Sequence, residues 1–189
     1  MSGGKLVILS GPSGAGKSTI AKHLLENKDY NLAFSVSACS RKMREGEVEG
    51  KDYFFLSIDS FKSKIDDNEF LEWEEVYPNL YYGTLRGEVE KLRSAGYNVI
   101  FDVDVMGAVN IKRNYKETAI SIFVNPPSLE ELEARLKGRN TESDDDIARR
   151  IRKAKMELIY AKRFDHIVEN NKLEDALKEA DSLVSNFLK

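Results

Sequence analysis

Short apolar runs alternate with stretches in which apolar side chains recur every three or four residues. Leu6-Val7-Ile8-Leu9, within Lys5 to Ser10, predicts a strand buried on both faces. A Gly-rich turn follows, and a helix is predicted from Ser18 to about Lys28. Ala33 to Ser37 predicts a strand, residues 38–52 a polar loop, and Tyr53 to Leu56 another strand. Ile58, Phe61 and Ile65 sit at helical spacing within 57–68. Phe70 to Val76 alternates, with acids on the strand. Thr84 is read as the cap of a helix that Gly96 stops. Further strands are expected at 97–103, 118–124 and 164–168. Helices are expected at 107–114, 128–137, from about 146 to 162, and at 173–188. Ser128-Leu129-Glu130-Glu131 forms a capping box at one of these starts. Strands alternating with helices imply an α/β domain around a parallel sheet. Several short strands interrupt that rhythm between about 34 and 84, which suggests an inserted lobe.

The sharpest chemical signal is Gly11-Pro12-Ser13-Gly14-Ala15-Gly16-Lys17-Ser18, which fits G-x-x-x-x-G-K-[ST]. An apolar strand precedes it and a helix follows, as a phosphate-binding loop requires. Glycines let backbone N–H groups converge on a phosphate, and the helix adds its positive end. Lys17 supplies a point charge, and Ser18 can ligate Mg²⁺. The strand Val99 to Asp104 ends in Asp102 and Asp104, carboxylates expected beside that loop. One of them can hold a Mg²⁺-bound water. Asp104-Val105-Met106-Gly107 also fits the D-x-x-G of GTPases, but Asn171-Lys172-Leu173-Glu174 places Glu where their guanine clamp needs Asp.

Composition narrows the class. The chain has 189 residues, the length of one domain, and 41% of them are hydrophobic, enough for a proper core. Charged residues make up 32%, yet 29 basic against 32 acidic leave a net charge of −3, which argues against a nucleic-acid coat. One cysteine, Cys39, makes no internal disulfide, and with two histidines it builds no zinc site. There is no 18-residue apolar run to span a membrane and no signal-like start, so a soluble, cytoplasmic protein is expected. The charges are unevenly spread: from Arg135 to Lys155 there are eight basic residues against four acidic.

Residues 34–84 add an anion binder of another kind. Arg41, Arg44, Tyr53 and the pair Tyr81-Tyr82 offer guanidinium and hydroxyl donors. A buried Glu72 would accept two hydrogen bonds from the N1–H and 2-amino edge of guanine. Adenine lacks both donors and would leave the carboxylate unpaired.

These residues together resemble guanylate kinase over nearly the whole chain. The resemblance rests on Gly11–Thr19, Ser35 to Lys42, Arg44 to Val48 and Gly50 to Phe55. It continues through Glu69 to Trp73, Tyr81-Tyr82-Gly83-Thr84, Asp102-Val103-Asp104, Pro126-Pro127-Ser128, Arg135 to Thr141 and Ala148-Arg149-Arg150. It implies transfer of a phosphoryl group from ATP to GMP with Mg²⁺, a step of purine nucleotide metabolism. It implies a P-loop core (about 1–34, 85–137 and 150–189), a GMP-binding lobe (about 35–84) and a lid (about 138–149). Ser37, Glu72, Thr84 and Asp104 would contact guanine. Arg41, Arg44, Tyr53 and Tyr82 would hold its phosphate. Lys17, Arg135, Arg139 and Arg150, with Arg41, would serve the transferred group. Gly11, Ser13, Gly14, Ala15, Gly16, Lys17, Ser18 and Thr19 would bind ATP, with Asn170 near its adenine. Ser18 and, through water, Asp102 would serve the metal. A monomer or homodimer is expected.

The sequence departs from the family pattern in places. Met43 stands where Pro is common, Asn140 where Gly is usual and Met106 where Gln is frequent; the run 76–80 is one residue longer than in many relatives. The alternative is a guanylate-kinase-like module that binds proteins without catalysis. The intact Gly16-Lys17-Ser18 and the one-domain length weigh against it, and Glu72 and Ser37 weigh against another nucleoside monophosphate kinase.

Overall fold

The computed structural model describes residues 3–138 and 144–189. A five-stranded parallel sheet forms the core, in the order β2 (Leu32–Phe34), β7 (Asn98–Asp102), β1 (Leu6–Ser10), β8 (Ala119–Asn125), β9 (His166–Glu169). All five residues of β1 are buried, as its unbroken apolar run predicts. Its alternate side chains feed two cores. Val7 and Leu9 pack with α1 (Lys17–Glu26) and α7 (Leu173–Leu188) on one face. Leu6 and Ile8 pack with α3 (Arg86–Ser94) and α4 (Val105–Tyr115) on the other. The strand order reverses on either side of β1, and ligand crevices of open α/β sheets form at the carboxyl end of such a strand.

The interrupted region folds on a second sheet, ordered β4 (Phe54–Phe55), β3 (Ala38–Cys39), β6 (Leu80–Leu85), β5 (Phe70–Tyr77). It has its own small core, in which Phe61 of α2 (Ile58–Asp66) stacks on Phe70 at 4.4 Å and on Tyr81 at 5.4 Å. Two strands here differ from expectation. Ala38–Cys39 falls within the predicted polar loop, and β6 was not foreseen. Thr84 is therefore not a helix cap: it lies in β6 opposite Glu72, and Leu85 precedes α3 without a side-chain cap. The hydroxyl serves the facing carboxylate instead of the helix amides.

Smaller differences lie at element ends. Gly96 does adopt a left-handed conformation, with φ 90°. Asp104 caps α4, which begins at Val105, two residues before the predicted start. Ser128 caps α5 (Leu129–Lys137) by accepting from Glu131 N–H at 3.1 Å. The long basic helix α6 (Asp144–Ile159) packs on α5 through Leu132, Leu136, Ile147 and Ala154. Cys39 is buried and unbridged. Among the described residues, no helix is long and apolar enough to cross a membrane.

The lobe's core hangs on Phe61, which has no solvent exposure. Phe61→Ala should cost about 3–5 kcal/mol, seen as a lower urea midpoint by fluorescence of the single tryptophan, Trp73, on β5. An unchanged midpoint would show that the aromatic stack contributes nothing.

Candidate functional site

The turn after β1 curls around a hollow of about 250 Å³. Gly16 has φ 104°, and a Cβ there would sit 2.3 Å from the Asn170 amide nitrogen. A side chain is thus excluded on both backbone and spatial grounds. Asn170 is buried and donates to the Ala15 carbonyl at 2.7 Å, so its amide braces the underside of the loop. Lys17 Nζ donates to the carbonyls of Gly11 at 2.7 Å and Pro12 at 3.1 Å, which folds it back over the loop. Its ammonium lies 3.9 Å from Asp102. Ser18 Oγ donates to Asp102 Oδ2 at 2.8 Å. Gly14 and Thr19 complete the lining of this hollow, and Ser13 accepts from Arg150 of α6 at 2.6 Å.

A cleft of about 430 Å³ opens beside the loop, lined by Lys17, Arg44, Tyr82, Asp102, Asp104 and Arg150 among others. It leads to a smaller pocket of about 210 Å³ that includes Ser37, Tyr53, Glu72 and Tyr82. Glu72 is 9% exposed and accepts from Thr84 Oγ1 at 2.5 Å. Gly107 makes room for it: a Cβ there would lie 2.7 Å from Glu72 Oε2. Asp104 accepts from Gly107 N–H at 2.7 Å, so the D-x-x-G pattern is a helix cap pressed against a lobe carboxylate.

The remaining cations are held differently. Arg41 is gripped by both oxygens of Glu47, at 2.6 and 2.5 Å, and lies 4.9 Å over the Tyr53 ring. Tyr53 meets Tyr82 edge-on at 5.8 Å. Glu47 also accepts from Arg44 N–H at 2.8 Å. Arg135 pairs with Glu131 and donates to the Asn170 carbonyl, both at 3.2 Å. Arg139 and Asn140 lie outside the described residues.

The comparisons with known proteins agree with one another. The family model for guanylate kinase matches residues 3–187. The chain belongs to the guanylate kinase family. A guanylate kinase of Bacteroides thetaiotaomicron is 51% identical over 98% of this chain and 90% of its own. One of Porphyromonas gingivalis is 46% identical over 97% and 98%. The crystal structure of the Anaplasma phagocytophilum guanylate kinase superposes with a TM-score of 0.77, at 29% identity, over 100% of this chain and 88% of that one.

Within this guanylate kinase fold the carboxylates are not alike. Burial pushes Glu72 up to about 7 despite the Thr84 hydrogen bond. Glu74 is also pushed up to about 7, first by a hydrogen bond with Asp104 and then by burial. Burial works against ionised Asp104 too, but hydrogen bonds from Glu74 and Gly107 N–H outweigh it and hold Asp104 below its ordinary value. Arg41 holds Glu47 down at about 2.

The sequence pattern gave no role to Glu47, Glu74 or Lys153. Glu74 lies two residues beyond Glu72 on one strand, and Lys153 three beyond Arg150 on one helix. Those periodicities were the available signal.

The sign of the Glu72 effect is testable. Its folded value, about 7, lies above the ordinary glutamate value of 4.5. Its favourable contribution is full below the unfolded value and is lost as pH rises through the folded one. Glu72→Gln removes the charge and retains an acceptor for Thr84. Its melting temperature relative to wild type should rise between pH 5 and pH 8. A constant difference would mean that Glu72 ionises normally.

Proposed function

We propose that this chain transfers the γ-phosphoryl group of ATP to GMP, and to dGMP, giving ADP and GDP. The observation that carries the reading is the buried Glu72 carboxylate in a pocket that opens toward the phosphate loop. Guanine presents two adjacent donors to such a group, and a base without them would strand a desolvated carboxylate. Ser37, Thr84 and Asp104 border the same base. Arg41, Arg44, Tyr53 and Tyr82 take its phosphate. GMP would then replace Glu47 as the partner of Arg41, so the guanidinium is already aimed by a carboxylate before substrate arrives. This lobe, about 35–84, acts as one unit.

ATP phosphates occupy the loop from Gly11 to Thr19, whose backbone Asn170 supports. Mg²⁺ fits there. Among the described residues no cluster of three or more His, Cys or carboxylate groups could hold a metal ion by itself. Ser18, with Asp102 through water, would be the sparse donor set of an ion that takes its remaining ligands from phosphate and water. When bound it neutralises phosphate charge.

The acceptor is already an ionised phosphate, so no general base is needed. The difficulty is to bring two anions together and to stabilise charge spread over the transferring group. Lys17 and Arg150 stand at the loop, and Arg41, Arg135 and Arg139 would complete the cationic set. Closure of the lid (about 138–149) would exclude water that would otherwise hydrolyse ATP. Losing one such arginine should raise the barrier by about 3 kcal/mol, roughly a hundredfold in rate. The non-catalytic module is disfavoured by the intact loop with Lys17 braced over it. A cytoplasmic location follows from the same reading, since both nucleotides are found there.

A coupled ADP-release assay with GMP, dGMP, AMP, UMP and CMP tests this. Turnover is expected with the two guanine nucleotides. None with any acceptor would favour the binding module. Lys17→Ala should abolish transfer while leaving GMP binding by calorimetry largely intact; wild-type turnover would remove Lys17 from the mechanism. Glu72→Ala should raise the KM for GMP strongly and narrow the preference over AMP, and unchanged selectivity would refute the base assignment.

A further inference from the structure

Helix α6 touches both halves of the site. Arg150 donates to Ser13 of the phosphate loop at 2.6 Å. One turn on, Lys153 Nζ lies 3.2 and 3.3 Å from the two carboxylate oxygens of Glu74 on β5. Arg149 of the same helix lies 5.4 Å over the Tyr77 ring, also on β5. Positions 74 and 77 would normally point to opposite faces of a strand. A register shift between Glu75 and Tyr77 breaks the alternation and lets both meet one helix.

Glu74 is not isolated at that seam. Glu74, Lys153 and Asp104 line one pocket together, and Asp104 is the residue that caps α4 beside Glu72. A chain of contacts thus runs from α6 through Lys153 and Glu74 to Asp104 at the edge of the base pocket. Glu157, one turn beyond Lys153, lines the adjoining cleft.

We infer that Lys153 is a positioning residue for base recognition: by fixing Glu74 it sets the Asp104 carboxylate, and it couples the base pocket to the helix that carries Arg150 at the phosphate loop. The inference rests on the assignment of the 210 Å³ pocket to guanine. Lys153 stands at the wall of that pocket beside Glu74 and Asp104, and its role is to hold Glu74 rather than to serve the transferred phosphoryl group. Its removal should therefore act on acceptor binding far more than on the chemical step. Shared dependence on one contact chain also makes the effects of Lys153 and Glu74 non-additive.

The test is steady-state kinetics of Lys153→Met, Glu74→Ala and the double variant, with GMP and ATP varied separately and GMP binding followed by calorimetry. Each single substitution should raise the KM and Kd for GMP about tenfold, with kcat changed less than about threefold and the KM for ATP unmoved. The double variant should be no worse than the worse single, and Lys153→Arg should retain most of the wild-type affinity. A wild-type KM for GMP in Lys153→Met would overturn the inference, as would multiplying effects in the double variant or equal shifts in both substrates' KM. Those results leave the reaction intact. A wild-type protein that phosphorylates no GMP would overturn the reaction and this role together.

Discussion

One carboxylate held away from water organises the acceptor half of the molecule. Glu72 sits where the lobe's sheet meets α4 of the core, with Thr84 donating from the neighbouring strand and Gly107 leaving the space it needs. A buried carboxyl without a full set of donors is destabilising in its charged form. On the proposed assignment, the missing donors are those a guanine would bring. Selectivity and a local stability cost are thus the same physical fact, and a base with the wrong edge inherits the cost.

The donor half is built on the opposite principle, with charge kept near its place of use by backbone. Lys17 is anchored on two loop carbonyls, and Asn170 and Gly16 fix the loop's curvature. Both halves lie near the carboxyl ends of β1 and β7, where the strand order reverses. Arg41 is paired with Glu47 and Arg150 with Ser13. On the proposed assignment these cations are oriented before substrates arrive, and less reorganisation would be required when phosphates replace their partners.

Much of this was legible in the sequence because its signals are local. The phosphate loop is one contiguous motif, and β1, β7 and β8 are dominated by apolar side chains because a parallel sheet is covered on both faces. What was not legible depends on partners distant along the chain. Ala38–Cys39 becomes a strand only by pairing with residues 54–55 and 82–83. Thr84 has the composition of a helix cap, and only its register opposite Glu72 turns it into a carboxylate partner. Lys153 looks like one more cation on a solvated helix until β5, some eighty residues earlier, supplies Glu74. The Asp104–Gly107 pattern fits a nucleotide switch equally well until the cap geometry is seen.

The central claim concerns the charge state of one buried group, and carboxyl-carbon NMR of Glu72 measures it directly. In the free protein Glu72 should titrate at about 7. With GMP bound, donors on the base should stabilise the carboxylate and carry the titration well below neutrality. A Glu72 that titrates in the ordinary carboxylate range in both states, unmoved by GMP, would contradict the account.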